Sequence, residues 1–99
     1  MKKISKKTLK RALQDLGMLS KGHSPNPADL ANAPILYDWV PMWNSADLMQ
    51  LEGEVRGHPT MPDGPCTTSV VLIADVREGW ARTVSRYYRL GPQRGEHLH

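Results

Sequence analysis

An imidazole, a carboxylate and two hydroxyl groups lie close together in the middle of the sequence, as His58, Asp63, Thr68 and Ser69. Such groups form a hydrolytic triad when they are hydrogen-bonded in series. Here all of them fall on one proline-rich loop and the strand that leaves it, without a Gly-x-Ser-x-Gly elbow. We therefore predict no catalytic residue and no enzyme. His58 is expected to hold the loop backbone, and we keep it as a candidate binding residue.

Thiol and metal chemistry are limited by the single cysteine, Cys66. One cysteine excludes an intramolecular disulfide and a four-cysteine zinc site. Cys66 follows a proline beside an apolar run, so it is expected to pack in the core. The terminal Glu96-His97-Leu98-His99 resembles a loose metal-binding sequence, but the other histidines are too scattered to complete a site with it. We predict no metal and no cofactor.

Positive charge is concentrated at the start of the chain. Residues 1–21 carry seven Lys or Arg against Asp15, which gives +6, and the remaining residues carry six Arg against nine acids, which gives −3. A basic segment of this kind is either a solvated helix face or a surface for an acidic partner or nucleic acid. The candidate binding residues here are Lys6, Lys7, Lys10 and Arg11.

A second candidate surface is the aromatic and arginine-rich stretch 80–90, which is predicted to be one strand. Alternation places Trp80, Arg82, Arg86 and Tyr88 on one face and Arg89 on the other. Exposed, the first face would be a platform for stacking bases and contacting phosphates. Buried, it would be core, with arginine stems reaching outward. Arg82, Arg86 and Arg89 are candidate binding residues under the first interpretation.

Two helices precede the strands. Ser5 is expected to cap a helix that runs to about residue 18 and packs a stripe of Leu9, Ala12, Leu13 and Leu16. Asn26-Pro27 begins a second, short helix that ends by Ala33 because a proline follows.

Four further segments are predicted to be extended. Residues 35–43 are apolar but contain Pro41, which is typical of a covering segment or an edge strand. Residues 48–56 alternate as a half-exposed strand. Residues 67–76 are apolar on both faces, as in a central strand, and a tight turn at 77–79 joins them to strand 80–90. The sequence thus predicts an α+β fold: a three- to four-stranded antiparallel meander, or a small barrel if it curls, with a basic N-terminal helix and a short second helix.

Ninety-nine residues suffice for one domain. We expect a basic helical arm at 1–22, one small domain at 23–92 and a disordered tail at 93–99. No apolar run of membrane-spanning length is present, so no membrane partner is expected and a cytoplasmic location is predicted.

Several short sequences occur together in this chain: Gly57-His58-Pro59, Asp63-Gly64, Thr68-Ser69, Arg82-Thr83, Ser85-Arg86 and Tyr88-Arg89-Leu90-Gly91, with Leu30 to Pro34 and Asp38-Trp39 upstream. This combination resembles a family of short, uncharacterised bacterial and phage-like proteins. The resemblance covers about residues 27–91, excludes the basic arm and implies no activity.

The function predicted from these observations is non-enzymatic binding. We expect a small protein-interaction module, with a phage- or mobile-element-encoded regulator or inhibitor of a host complex as the specific form. The alternative is a nucleic-acid-binding protein that uses the basic arm and the arginine-rich strand, and affinity that collapses with salt would distinguish it. The oligomeric state and the identity of the partner stay open.

Overall fold

The computed structural model describes residues 4–95, which form two helices followed by six strands. The elements are α1 (Lys6–Ser20), α2 (Pro27–Ala31), β1 (Ile35–Trp43), β2 (Met49–Arg56), β3 (Gly64–Thr67), β4 (Val71–Asp75), β5 (Trp80–Thr83) and β6 (Tyr87–Leu90). The α+β class predicted from the sequence is confirmed. Within this part of the chain, neither helix is long and apolar enough to cross a membrane.

Both helices begin at the predicted caps. The Ser5 hydroxyl accepts the Thr8 N–H at 3.0 Å, and the Asn26 side chain accepts the Ala28 N–H at 2.9 Å. α1 ends at Ser20 and is followed by Gly22, where φ is +90°, a conformation that glycine adopts without steric cost.

The six strands form one mixed sheet in the order β3-β2-β1-β6-β5-β4. Neighbouring strands are antiparallel except β1 and β6, which pair in parallel through Ile35 with Arg89 and Leu36 with Leu90. The predicted antiparallel meander of three to four strands is therefore wrong in strand number and in strictly antiparallel pairing. Residues 35–43, predicted as a covering segment or an edge strand, form β1, which lies inside the sheet between β2 and β6.

The predicted central strand 67–76 is instead the edge strand β4, and only its first residue, Thr67, belongs to β3 at the opposite edge. Residues 68–70 connect the two strands. The four peptide steps from Thr67 to Val71 reach at most about 14 Å. A flat six-stranded sheet would hold its edges about 24 Å apart. The sheet must therefore curl strongly to bring its edges together.

Residues 68–70 form hydrogen bonds on both sides of the curled sheet, to β2 and to the residue after β5. The Thr68 N–H donates to the Leu51 carbonyl at 2.8 Å, and the Val70 carbonyl accepts the Val84 N–H at 2.9 Å. Among the described strands, β3 and β4 do not pair with each other, so the curled sheet stays open and is not a closed barrel.

The predicted strand 80–90 is also two strands, β5 and β6, which form a hairpin. Thr83 makes the turn: its hydroxyl donates to the Arg86 carbonyl at 3.0 Å and accepts the N–H groups of Ser85 and Arg86 at 3.2 Å. Trp80 consequently pairs with Arg89 and Arg82 with Tyr87. Cross-strand partners share a face, so Arg89 lies on the same side as Arg82, contrary to the prediction.

The main core lies in the curled sheet and consists of Leu36, Trp39, Leu51, Val55, Cys66, Ala81 and Tyr88. α1 contacts β4 and β5, and α2 contacts β6. Trp80 is also buried but is not part of this cluster. Its neighbour Ala81 is in the cluster, and successive side chains of a strand point to opposite faces, so Trp80 lies on the other face of the sheet, under the helices.

The end of the chain continues beside β1 as far as it is described. Gln93 bridges to Trp39, and the Arg94 N–H donates to the Trp39 carbonyl at 3.1 Å. The last four residues of the predicted tail, together with the metal-binding sequence considered there, lie outside the described residues.

Candidate binding surfaces

α1 packs on the sheet with only part of the predicted stripe, because Ala12 is buried and Leu16 half-buried but the other two leucines are not. Ala12 and Leu19 are buried and Asp15 is half-buried, whereas Leu9 is 46% exposed and Leu13 is 56% exposed. The predicted packing of the stripe is thus wrong for these two leucines. The small side chain of Ala12 lets the helix approach the sheet, and Asp15 meets an arginine there.

The outer side of α1 combines apolar and basic side chains. Leu9 and Leu13 lie one turn apart, flanked by Lys6 and Lys10, which are also one turn apart. These four residues, with Gln14, line a shallow groove. We call them the outer face of α1. Lys7 and Arg11, the other two candidate residues of this helix, are exposed beside it.

Arg82 is held inside the molecule by four interactions. Its Nε and Nη2 both lie 3.0 Å from Asp15 Oδ2, and its Nη1 donates to the Thr83 carbonyl at 3.0 Å. The guanidinium carbon also lies over the Tyr87 ring, 5.0 Å from the ring centroid. Only 3% of the residue is exposed, so Arg82 positions α1 and does not face a partner.

Arg86 lies in the turn between β5 and β6 and is half-buried. Its backbone carbonyl accepts from Thr83, but within residues 4–95 its guanidinium has no hydrogen bond or ion pair. It lines a cleft of about 210 Å³ between the helices and the hairpin. The charged residues of this cleft are Arg11, Asp15, Asp29, Arg82 and Arg86. Arg82 and Arg86 thus line the same cleft, but a hairpin turn places them there and not the straight strand of the prediction.

Arg89 forms hydrogen bonds with the backbone just after α2. Its Nε donates to the Ala33 carbonyl at 3.0 Å, and its backbone N–H donates to the Pro34 carbonyl at 2.8 Å. Both bonds hold the chain that connects α2 to β1, which explains this arginine as a structural residue.

His58 holds its loop as expected. Its Nδ1 accepts the N–H groups of Thr60 at 3.1 Å and Met61 at 3.2 Å. Burial lowers the pKa of His58, and the nearby charge of Arg86 lowers it further. The Asp63 carboxylate accepts the Gly57 N–H at 3.0 Å. The imidazole and the carboxylate are each bonded to backbone, and no hydrogen bond links them within the described residues.

Cys66 and Tyr88 are neighbours in the core. Burial raises the pKa of the Cys66 thiol, and burial raises the pKa of Tyr88 to about 12. Both groups are therefore protonated at neutral pH, and a thiol is a weak nucleophile. Among the described residues, no three His, Cys, Asp or Glu side chains are grouped so as to hold a metal ion.

Of the two interpretations of stretch 80–90, the exposed stacking platform is wrong, and the buried one holds for Trp80 and Tyr88. Trp80 is 7% exposed and Tyr88 is 3% exposed, and the hairpin places them in different layers. Sequence reasoning missed two features: Asp15 as the partner of Arg82, and the exposure of Leu9 and Leu13. Asp15 is the one acidic residue among residues 1–21, and that isolation was a signal for a structural ion pair.

Residues 2–96 match the family of unknown function DUF6634, and the chain belongs to this family. The match includes α1, which the sequence resemblance left out. No curated protein and no solved structure matches the chain significantly.

Proposed function

We propose that this protein is a non-enzymatic interaction module that binds a protein partner through the outer face of α1. The observation that carries the proposal is the exposure of Leu9 and Leu13 on a helix that is itself docked on the sheet. Large apolar side chains in adjacent turns of a fixed helix are the anchors that a complementary groove receives.

The charges around these leucines determine the kind of partner. Lys6 and Lys10 lie on the same face, and Lys7 and Arg11 lie beside it, all exposed. Four cations repel a second copy of the same face and attract a surface that carries carboxylates. We therefore propose a partner with an apolar groove edged by Asp and Glu side chains.

The more specific form of the proposal is a phage- or mobile-element-encoded regulator or inhibitor that occludes a host complex. Its support is the small size of the domain and the position of the leucines on an accessible helix. We also propose a cytoplasmic location, which is supported by the free, buried thiol of Cys66.

The test begins with capture of partners from an extract of the source cell by the wild-type protein and by Leu9→Ala/Leu13→Ala. Ala is the best helix former, so this double variant is expected to keep α1 folded. A Leu48→Ala variant is the matched control, because Leu48 is 48% exposed and lies in the turn before β2. The captured protein is then purified and its binding measured by calorimetry.

We expect the double leucine variant to bind the purified partner at least about 100-fold more weakly, as expected for two interface anchors. Lys6→Glu/Lys10→Glu should mainly slow association and reduce its salt dependence. Leu48→Ala should bind like the wild type. Equal binding by the leucine variant would overturn the proposal. So would binding only to DNA or RNA, with affinity that collapses with salt, or only to anionic lipid vesicles.

A further inference from the structure

The cleft between α1, α2 and the β5–β6 hairpin contains positive charge that the protein does not neutralise. Asp15 is already bonded to Arg82, so these two residues cancel. Within residues 4–95, no ion pair is formed by Arg11, Arg86 or Asp29. Two arginines and one carboxylate remain, which gives the cleft a net charge of +1.

The charge of Arg86 acts on its neighbours. It lowers the pKa of His58, and it opposes the rise that burial causes in the pKa of Cys66 and Tyr88. A half-buried guanidinium without a carboxylate partner is unusual, because charges removed from water are normally paired.

We propose that this cleft binds the oxyanion group of a small ligand, a phosphate or a carboxylate, between the guanidinium groups of Arg11 and Arg86. The planar fork of arginine matches both groups, because it donates two parallel N–H bonds to them. The volume of about 210 Å³ is below the range of about 300–1,000 Å³ typical of whole-ligand pockets. The cleft therefore holds the charged group while the remainder of the ligand extends into solvent.

The remaining parts of the cleft suit this role. Arg82 and Tyr87 form a fixed wall, since Arg82 is bonded to Asp15 and lies over the Tyr87 ring. The Ser85 hydroxyl accepts from Ser69 Oγ at 2.9 Å, so its own proton is left to donate to a ligand. Asp29 is the opposing feature, because its carboxylate repels an anion.

Titrations with sodium phosphate and sodium acetate at constant ionic strength, followed by the NMR signals of the arginine Nε–H groups, test the proposal. We expect saturable shifts at Arg11 and Arg86 with at least one of the two anions. The anion that binds more tightly identifies the ligand group as a phosphate or a carboxylate. Arg86→Gln should weaken binding about tenfold or more, because a charged double donor is lost. Asp29→Asn should strengthen it, since a repulsive charge is removed.

Arg77→Gln is the matched control, because Arg77 is exposed in the turn after β4 and does not line the cleft. It should leave the affinity unchanged. If Arg86→Gln fails to fold, Arg11→Gln replaces it, since Arg11 is exposed on α1. Shifts that stay linear with concentration for both anions, or equal affinity in the Arg86 and Arg77 variants, would overturn the proposal.

The inference is independent of the proposed protein partner. Leu9→Ala/Leu13→Ala should keep the anion affinity of the wild type, because neither leucine lines the cleft. The partner-binding measurement and the anion titration can therefore fail separately, so the failure of one proposal does not imply the failure of the other.

Discussion

Arg82 and Asp15 join the N-terminal helix to the sheet through two contacts of 3.0 Å to a single carboxylate oxygen. The Arg82 side chain is 4% exposed and that of Asp15 is 29% exposed. The guanidinium is thus withdrawn from water, and its charge is balanced by a carboxylate at the edge of the packed layer.

The ion pair makes α1 sensitive to a single polar substitution. Asp15→Ala should lower the free energy of unfolding by about 2–3 kcal/mol, because it leaves a buried guanidinium unpaired. Arg82→Met should cost less than Asp15→Ala, since it removes the buried charge and fills part of the same volume. Chemical denaturation measures both.

Glu78→Ala is the control for loss of a carboxylate, because Glu78 is exposed and forms no ion pair within the described residues. It should change the stability by less than about 0.5 kcal/mol. An Asp15→Ala protein as stable as the Glu78 control would show that the pair does not hold the helix.

The two tryptophans Trp80 and Trp43 are expected to differ sharply. Trp80 is 7% exposed beneath the helices, and Trp43 is 62% exposed at the end of β1. Trp80→Ala should cost about 3–5 kcal/mol, enough to unfold a domain with little stability to spare. Trp43→Ala should cost less than about 1 kcal/mol. Thermal melts of the two variants decide the matter, and equal melting temperatures would contradict the burial of Trp80.

Local signals in the sequence predicted the helices and β2 well. Ser5 and Asn26 accept the expected backbone N–H groups, and the alternation of residues 48–56 corresponds to a real strand. These features depend on neighbours within a few residues. A single sequence is sufficient to recognise them.

The sheet could not be predicted in the same way. Residues 67–76 look like one strand, but hydrogen bonds between Thr68 and Leu51 hold the chain beside β2 before it crosses to the other sheet edge. Pro41 suggested an edge position for β1. It is tolerated because β6 pairs only with Ile35 and Leu36, at the other end of that strand. Both outcomes depend on contacts with distant segments.

The same limit applies to the site residues. Arg82 and Asp15 are 67 residues apart, so no local pattern shows that they meet. The alternation rule put Arg86 and Arg82 on one face but assumed a straight strand through Ser85. The Thr83 turn replaced that strand with a hairpin, moved Arg89 to the side of Arg82 and left Arg86 beside the cleft.

The last prediction concerns pH and His58, whose Nδ1 accepts two backbone N–H groups only when that nitrogen is unprotonated. Burial and Arg86 lower the pKa of His58 in the folded protein below its ordinary value of 6.5. As the pH falls, His58 is therefore protonated at a higher pH in the unfolded chain than in the folded protein. The stabilising contribution of His58 is complete above pH 6.5 and is lost as the pH falls through the lower pKa of the folded state.

Urea denaturation at about pH 7.5 and about pH 5 should show lower stability at the lower pH, before most carboxylates titrate. His58→Ala should be less stable than the wild type at the higher pH, by about 1 kcal/mol for the lost loop hydrogen bonds, and should show a smaller difference between the two values. His23→Ala, which removes an exposed imidazole, should retain the decline of the wild type. A decline of equal size in His58→Ala and wild type would show that His58 is not its source.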